Sequence, residues 1–223
     1  MHSAISGEKG SALTIYSFET LPSTQRWLIE KIASSQVEPP CAVIAELQTD
    51  GVGSRGNRWI GKRGNFFASV AIPSSMLPAD LPLGATSIYF AFLMKKTVEK
   101  AGSPVWLKWP NDLYLEDRKI GGCITAKKGA DMIVGIGVNL VDAPRGFGVL
   151  GLKIAPMELL ETFLENLENP PSWKQIFSNY RIEFEKSKNY STHIGDETVQ
   201  LRDAVLQNDG SLMIGKRRVV SSR

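Results

Sequence analysis

The densest chemistry in the sequence lies between Gln48 and Gly64. Gly51, Gly53, Gly56, Gly61 and Gly64 place five glycines in fourteen residues, and Arg55, Arg58, Lys62 and Arg63 add four cations with no acid among them. Glycine lets a backbone adopt left-handed and crowded conformations. Successive amides can then converge on one anion, and neighbouring cations can neutralise a carboxylate or phosphate. A solvated basic loop has the same composition. The stretch is not a Walker A loop, because no Gly-Lys-Ser/Thr follows at the needed spacing. It is not a dinucleotide fingerprint, because a strand rather than a helix is expected after it.

Two further clusters carry chemistry. Lys108-Trp109-Pro110-Asn111-Asp112-Leu113 is followed by Lys119-Ile120-Gly121-Gly122. Asn and Asp beside proline also form ordinary turns, and a lysine near a hairpin tip is commonly solvated. In Gly135-Ile136-Gly137-Val138-Asn139, glycines inside an apolar run point to a close-approaching ligand or backbone, or to a bulge. Two chemistries are poorly served. The only histidines are His2 and His193, which argues against imidazole triads and multi-histidine metal sites. Cys41 and Cys123 form no CxxC pair, so neither a disulfide framework nor a cysteine-rich zinc site is expected, and a reducing, cytoplasmic setting is.

These clusters need elements to position them. The 223 residues, 43% hydrophobic and 22% charged, fit one sizeable domain with a small appendage. Residues 1–12 read as a disordered leader, 13–190 as the main domain and 191–223 as a small β appendage. Strands are expected at 13–18, 41–47, 66–72, 105–109 and 132–140. A hairpin joins 113–115 to 120–125 around Glu116-Asp117-Arg118. Pro22-Ser23-Thr24 signals a helix start, with Trp27, Leu28 and Ile32 on its apolar face. Further helices are expected over 85–101, along Leu160–Leu167, and from an N-cap at Ser172. The fold class is α+β: a mixed sheet with helices packed on one face. No apolar run is long enough to span a membrane, and no signal-peptide core is visible. A formal charge of +3 is too small to imply nucleic-acid binding.

Taken together and in this order, the motifs resemble the biotin–protein ligase family. The resemblance rests on Ser23-Thr24-Gln25, Ala45-Glu46-Leu47-Gln48, Gly51-x-Gly53-x-Arg55-Gly56-x-Arg58-Trp59, the Lys108–Leu113 block, Lys119-Ile120-Gly121-Gly122 and Gly135–Asn139. It runs from about residue 15 to 142, with a fainter echo in the tail. It implies a class II synthetase-like catalytic domain and a shortened C-terminal SH3-like appendage. It also implies a two-step reaction. Biotin's carboxylate attacks the α-phosphate of ATP to give biotinyl-5′-AMP, and a lysine of a biotin carboxyl carrier domain then displaces AMP.

The resemblance further implies residue roles. Ser23, Thr24 and Gln48 would hydrogen-bond the biotin ureido head, with Gln25 beside them. Gly51, Val52, Gly53, Ser54, Arg55 and Gly56 would fold over biotin and the α-phosphate. Lys119 would lie between carboxylate and phosphate, with Arg55 and Arg58 adding charge. Trp59 and Asn139 would meet the adenylate, Asn111, Gly121 and Gly122 would line the ligand site, and Asp112 would assist transfer to the carrier lysine. Mg²⁺ would arrive with ATP rather than in a protein cage. Homodimers are frequent in the family.

The loop departs from the family's Gly-Arg-Gly-Arg-Arg-Gly: Val52 and Ser54 stand where two arginines are usual. Ser54 offers a single short hydroxyl, so either looser retention of the adenylate or compensation by Arg58 is expected. Too few residues precede the first strand for a helix-turn-helix, so no DNA binding is expected. A lipoate ligase and a non-catalytic biotin sensor remain the competing readings. The basic end, Lys216-Arg217-Arg218 and Arg223, is either a solvated tail or a contact for carrier or ATP.

Overall fold

The computed structural model describes residues 3–5, 13–59, 61–195 and 197–221; the side chains of residues 3–5 and 55 lie outside that description. In chain order the elements are β1 (Ser3–Ile5), β2 (Thr14–Leu21), α1 (Thr24–Ala33), β3 (Cys41–Gln48), β4 (Gly51–Val52), β5 (Arg58–Trp59) and β6 (Phe66–Pro73). Then come α2 (Thr86–Lys100), β7 (Trp106–Lys108), β8 (Asp112–Leu115), β9 (Arg118–Lys128), β10 (Asp131–Val138), α3 (Pro156–Glu168) and α4 (Trp173–Ser187). The tail carries β11 (Ser191–Ile194), β12 (Glu197–Gln200), β13 (Val205–Leu206), β14 (Leu212–Ile214) and β15 (Arg217–Val219).

Eight strands form one mixed sheet in the order β1-β2-β3-β6-β10-β9-β8-β7. Only β2 and β3 pair in parallel, joined through α1; the other neighbours are antiparallel. Part of the expected leader is ordered: Ser3–Ile5 pair with β2, Ser3 opposite Ser17. The free edge of β2 offers unpaired amides and carbonyls, which a short strand can satisfy. Residues 1, 2 and 6–12 of that leader lie outside the described residues.

Strand alternation sends side chains to opposite faces. On β3, Ala42 and Ile44 join a large core with α2, α3 and α4, whereas Cys41, Val43 and Ala45 join a smaller core with Leu28 of α1. Three helices therefore share one face, as the sequence reading expected, while α1 covers the other. The reason is the parallel β2–α1–β3 connection, whose helix packs back on the sheet face away from α2–α4. Helix α2 is buried on nearly every side rather than along one stripe, because α3 and α4 roof it against the sheet.

Caps fix the helix starts. Ser23 has extended backbone and its hydroxyl accepts from Arg26 N at the first turn of α1. Ser172 and Gln175 form a reciprocal capping box on α4. Asp80 adds to it, accepting from Trp173 N and Lys174 N at 3.0 Å each. The tail has no separate core: Leu201, Ala204, Leu212 and Val219 are buried in the same cluster as α2 and α3. Among the described residues no helix is long and apolar enough to cross a membrane.

Candidate active site

Helix α1 covers only part of its sheet face. Along β10 that face reads Ile133, Gly135, Gly137. Ile133 is buried beneath α1, and the glycines continue past it as an open floor. The register sets Gly135 opposite Ile124 and Gly137 opposite Gly122, so β9 completes the floor. The close approach that these glycines signalled is made by side chains. A Cβ on Gly135 would stand 3.3 Å from Gln25 Cδ, and one on Gly137 would stand 2.5 Å from Trp59 Cε2.

One wall is the start of α1 with the end of β3. Gln48 Oε1 accepts from Thr24 N at 2.8 Å and from Thr24 Oγ1 at 3.1 Å. The Thr24 hydroxyl has one proton and gives it to Gln48, so the contact with Ser69 Oγ at 2.9 Å must run from Ser69 to Thr24. Because a backbone amide can only donate, Thr24 N fixes which end of the Gln48 amide is oxygen. The Gln48 NH₂ group is left as the donor end. Ser69, buried on β6, was not singled out in the sequence; a serine in the apolar run FFASVAIP was the available signal.

The roof is the β4–β5 ribbon. Gly51 pairs with Trp59, and a Cβ at residue 51 would lie 2.6 Å from Trp59 O. Gly53 N donates to Asn57 O at 2.7 Å across the turn. Gly56 has φ +72°, the left-handed region that favours glycine. Asn65, fully buried and also missed in the sequence, ties the start of β6 to the loop after β10. Its Oδ1 accepts from Leu140 N, Val141 N and Asp142 N at 2.9–3.2 Å.

The cations of this stretch do not simply face inward. Arg58 Nε lies 3.4 Å from Asp50 Oδ1, and its Nη2 donates to Thr49 O. Lys62 pairs with Asp142 at 3.1 Å, and Arg63 with Glu46. Asp50 also pairs with Arg26 of α1, whose hydrogen bond holds the Asp50 carboxyl below the usual carboxylate range. The acids absent from the loop itself are thus supplied by Glu46 of β3, Asp50 just before β4 and Asp142 after β10, and the pairs fasten this stretch. Being exposed, each pair holds only weakly and weakens further with salt. The Arg55 side chain lies outside the described residues.

The last wall is the turn between β7 and β8. Lys119 Nζ lies 2.5 Å from Asp112 Oδ1, both partly exposed, and 6.0 Å from the Trp59 ring centroid. Asn111 is buried; its Nδ2 donates to Cys123 O, while its Oδ1 has no hydrogen-bond partner. Trp59 Nε1 is likewise buried without a partner. A buried acceptor and a buried donor in one cavity are costly unless a ligand satisfies them. Cys123 also lines the cavity, but burial pushes its thiol well up, so it is held protonated and is a poor nucleophile.

The structure therefore brings Ser23, Thr24, Gln25, Gln48, Val52, Gly53, Ser54, Trp59, Asn111, Asp112, Lys119 and Gly122 around one cavity. Cys123, Ile124, Gly135, Ile136 and Gly137 complete it. Gly51, Gly56, Arg58 and Gly121 are not part of its lining. Asn139 is buried and is not on the lining either, its Nδ2 on Gly148 O at 3.2 Å. Asp112 is the one acidic side chain on the lining, and no cluster of three metal-ligating side chains occurs among the described residues. A wider cleft of about 850 Å³ shares Gln25, Gly53, Ser54 and Ile124 with the cavity. His193, Arg217 and Arg218 line that cleft too.

Residues 17–140 match the model of the Biotin/lipoate A/B protein ligase family. The bifunctional ligase/repressor BirA of Escherichia coli is 35% identical over 127 residues, covering 54% of this chain and 38% of BirA. The biotin–[acetyl-CoA-carboxylase] ligase of Paracoccus denitrificans is 32% identical over 112 residues, covering 46% of this chain and 45% of its own. The chain thus spans less than half the length of these curated relatives. A Helicobacter pylori biotin acetyl coenzyme A carboxylase synthetase, crystallised with biotinylated ATP, superposes with a TM-score of 0.88 at 37% identity. That superposition covers 92% of this chain and 98% of the other. An Aquifex aeolicus biotin protein ligase shares the fold at a TM-score of 0.67 and 20% identity. With a cavity of neutral hydrogen-bonding groups beside an ammonium–carboxylate pair, on this sheet and in this order, the chain belongs to the Biotin/lipoate A/B protein ligase family.

Proposed function

We propose that this protein is an ATP-dependent biotin–protein ligase. In the first step a biotin carboxylate oxygen bonds to the α-phosphorus of ATP and pyrophosphate leaves. In the second, a carrier lysine amine bonds to the acyl carbon of biotinyl-5′-AMP, AMP leaves and the amine loses a proton. The acceptor is the biotin carboxyl carrier domain of an acetyl-CoA carboxylase or a similar carboxylase. The observation that carries this reading is the single cavity joining Gln48 and Thr24 to the Lys119–Asp112 pair. A neutral urea needs neutral partners, and the donor end of Gln48 suits a ureido carbonyl.

Lys119 supplies the charge that lets two anions meet. In the free protein it is neutralised by Asp112. A carboxylate and an α-phosphate arriving together outnumber that one carboxylate, and Lys119 turns to them. Asp112 is then released, still beside the site, to take the proton from the carrier lysine. Binding of the first substrates thereby prepares the base for the second step. Mg²⁺ enters bound to the nucleotide and offsets polyphosphate charge. Arg55 would add a cation from the roof.

Biotin is favoured over lipoate within the family by the polar set at Thr24 and Gln48, for which a dithiolane has no hydrogen-bonding match. The buried, protonated state of Cys123 also speaks against a thioester intermediate. The test offers the full chain ATP–Mg²⁺, an apo carrier domain, and biotin or lipoate side by side. Streptavidin blotting should reveal biotinylated carrier, with release of AMP and pyrophosphate. Lipoylation without biotinylation, or biotin binding without transfer, would overturn the reading.

A further inference from the structure

Trp109 immediately precedes Pro110-Asn111-Asp112, and two atoms of it are held. Its backbone N–H donates to Ser187 Oγ at 3.1 Å, at the end of α4. Its indole Nε1–H donates to Gly210 O at 2.9 Å, in the turn between β13 and β14. Both bonds are buried, and Trp109 is 1% exposed. A second tryptophan grips the same turn: Trp173 Nε1 donates to Asn208 O at 2.8 Å. Asp209 stiffens the turn from within, accepting from Ser211 N and Oγ and pairing with Arg218. Gly210 has φ +80°, and a Cβ there would lie 2.8 Å from Ile88 Cδ1, so the carbonyl is presented from a position that glycine alone fits.

We propose that this C-terminal turn, residues 207–211, is a positioning element of the active site. Acting through the Trp109 indole, the Gly210 carbonyl sets the Asn111–Asp112 turn against Lys119. The bond fixes the ring's rotation, the ring is locked in the core, and the backbone it anchors carries Asn111 Oδ1 and the Asp112 carboxylate. Trp173 holds the same turn at Asn208, and without that bond the Gly210 carbonyl stays fixed by the Asp209–Ser211 bonds and by the close approach of Gly210 to Ile88. The two tryptophans therefore separate positioning from plain stability. The catalytic consequence rests on the ligase reading; the geometric one does not.

The test compares Trp109→Phe and Trp173→Phe in the full chain, each losing one N–H donor and keeping an aromatic ring. The first readout needs no substrate: brief acylation with acetic anhydride, followed by mass spectrometry of Lys119 against exposed Lys100. Loosening the Asp112–Lys119 pair should raise Lys119 labelling about threefold in Trp109→Phe and leave it unchanged in Trp173→Phe. The second readout is carrier biotinylation at a temperature where all forms are folded. Trp109→Phe should lower kcat about tenfold with the biotin KM within about twofold, and Trp173→Phe should keep both. Should Trp109→Phe not fold, Ser187→Ala, which frees the Trp109 N–H, is expected to act in the same direction. Unchanged Lys119 labelling, or equal changes in the two tryptophan variants, overturns the proposal. If the natural protein biotinylates no carrier, the ligase reading fails while the labelling still decides this one.

Discussion

Trp59 and Gly137 make one contact from opposite sides of the cavity: the indole of the roof rests where a side chain on the floor would be, with 2.5 Å between Trp59 Cε2 and the site of a residue-137 Cβ. The roof can lie this close only because β10 carries no side chain there. Gly137→Ala should therefore lift Trp59. Tryptophan fluorescence should shift towards the exposed value and biotin affinity should fall about tenfold, a loss of about 1.4 kcal/mol. Gly129→Ala, at the β9–β10 hairpin tip, is strained by its own φ of +57° but has nothing within 4 Å, and as the comparison it should leave biotin binding unchanged.

Lys119→Ala removes the cavity's described cation and leaves Asp112 unpaired. Adenylate formation, followed by exchange of labelled pyrophosphate into ATP, should fall about 100-fold while biotin affinity changes little. Asp112→Asn should instead retain adenylate formation and slow transfer to the carrier, which single-turnover kinetics from preformed biotinyl-AMP would separate. Full adenylate formation by Lys119→Ala would remove that lysine from the mechanism.

Ser54 borders both the cavity and the wider adjoining cleft, and Arg58 is turned to Asp50 and Thr49. A short hydroxyl thus borders the cavity at the position where the motif resemblance leads one to expect an arginine. Ser54→Arg should slow dissociation of biotinyl-AMP about tenfold in a chase experiment, as a charge-assisted contact to phosphate is gained. Equal dissociation rates in the two proteins would show that residue 54 does not hold the adenylate.

Asp80 caps α4, whose far end grips Trp109. The Lys174 N–H, and after it the Trp173 N–H, hold the Asp80 carboxyl below the usual carboxylate range. A depressed folded-state pKa contributes stability above the unfolded value, about 3.9, and loses it as pH falls through the folded one. Asp80→Ala should cost about 1 kcal/mol at neutral pH. It should also flatten the acid limb of a plot of Tm against pH below about 4.

Much of this architecture is legible in the sequence because it is local. Ser23 and Ser172 mark helix starts through their own hydroxyls, and the β8–β9 hairpin follows from polar residues at 116–118 between apolar runs. The ligand-site motifs were legible by type and spacing, since the order Gln48, Gly51–Trp59, Lys108–Leu113, Lys119–Gly122 is written in the chain. Ser69 and Asn65 were not, because a polar residue within a strand or just before one reads alike whether it bonds a group distant in sequence or faces water.

By itself, then, the sequence determined which residue types are available to bind a neutral ring, an anion and an amine, and which stretches become strand or helix. The tertiary structure decided the partners. It gave Asp112 to Lys119, turned Arg58 to Asp50, put α1 on the face opposite α2–α4, and tied Trp109 to Gly210, 101 positions further along the sequence. Propensity and capping act within a few residues, whereas an ion pair or buried hydrogen bond is chosen by which distant surfaces burial forces together.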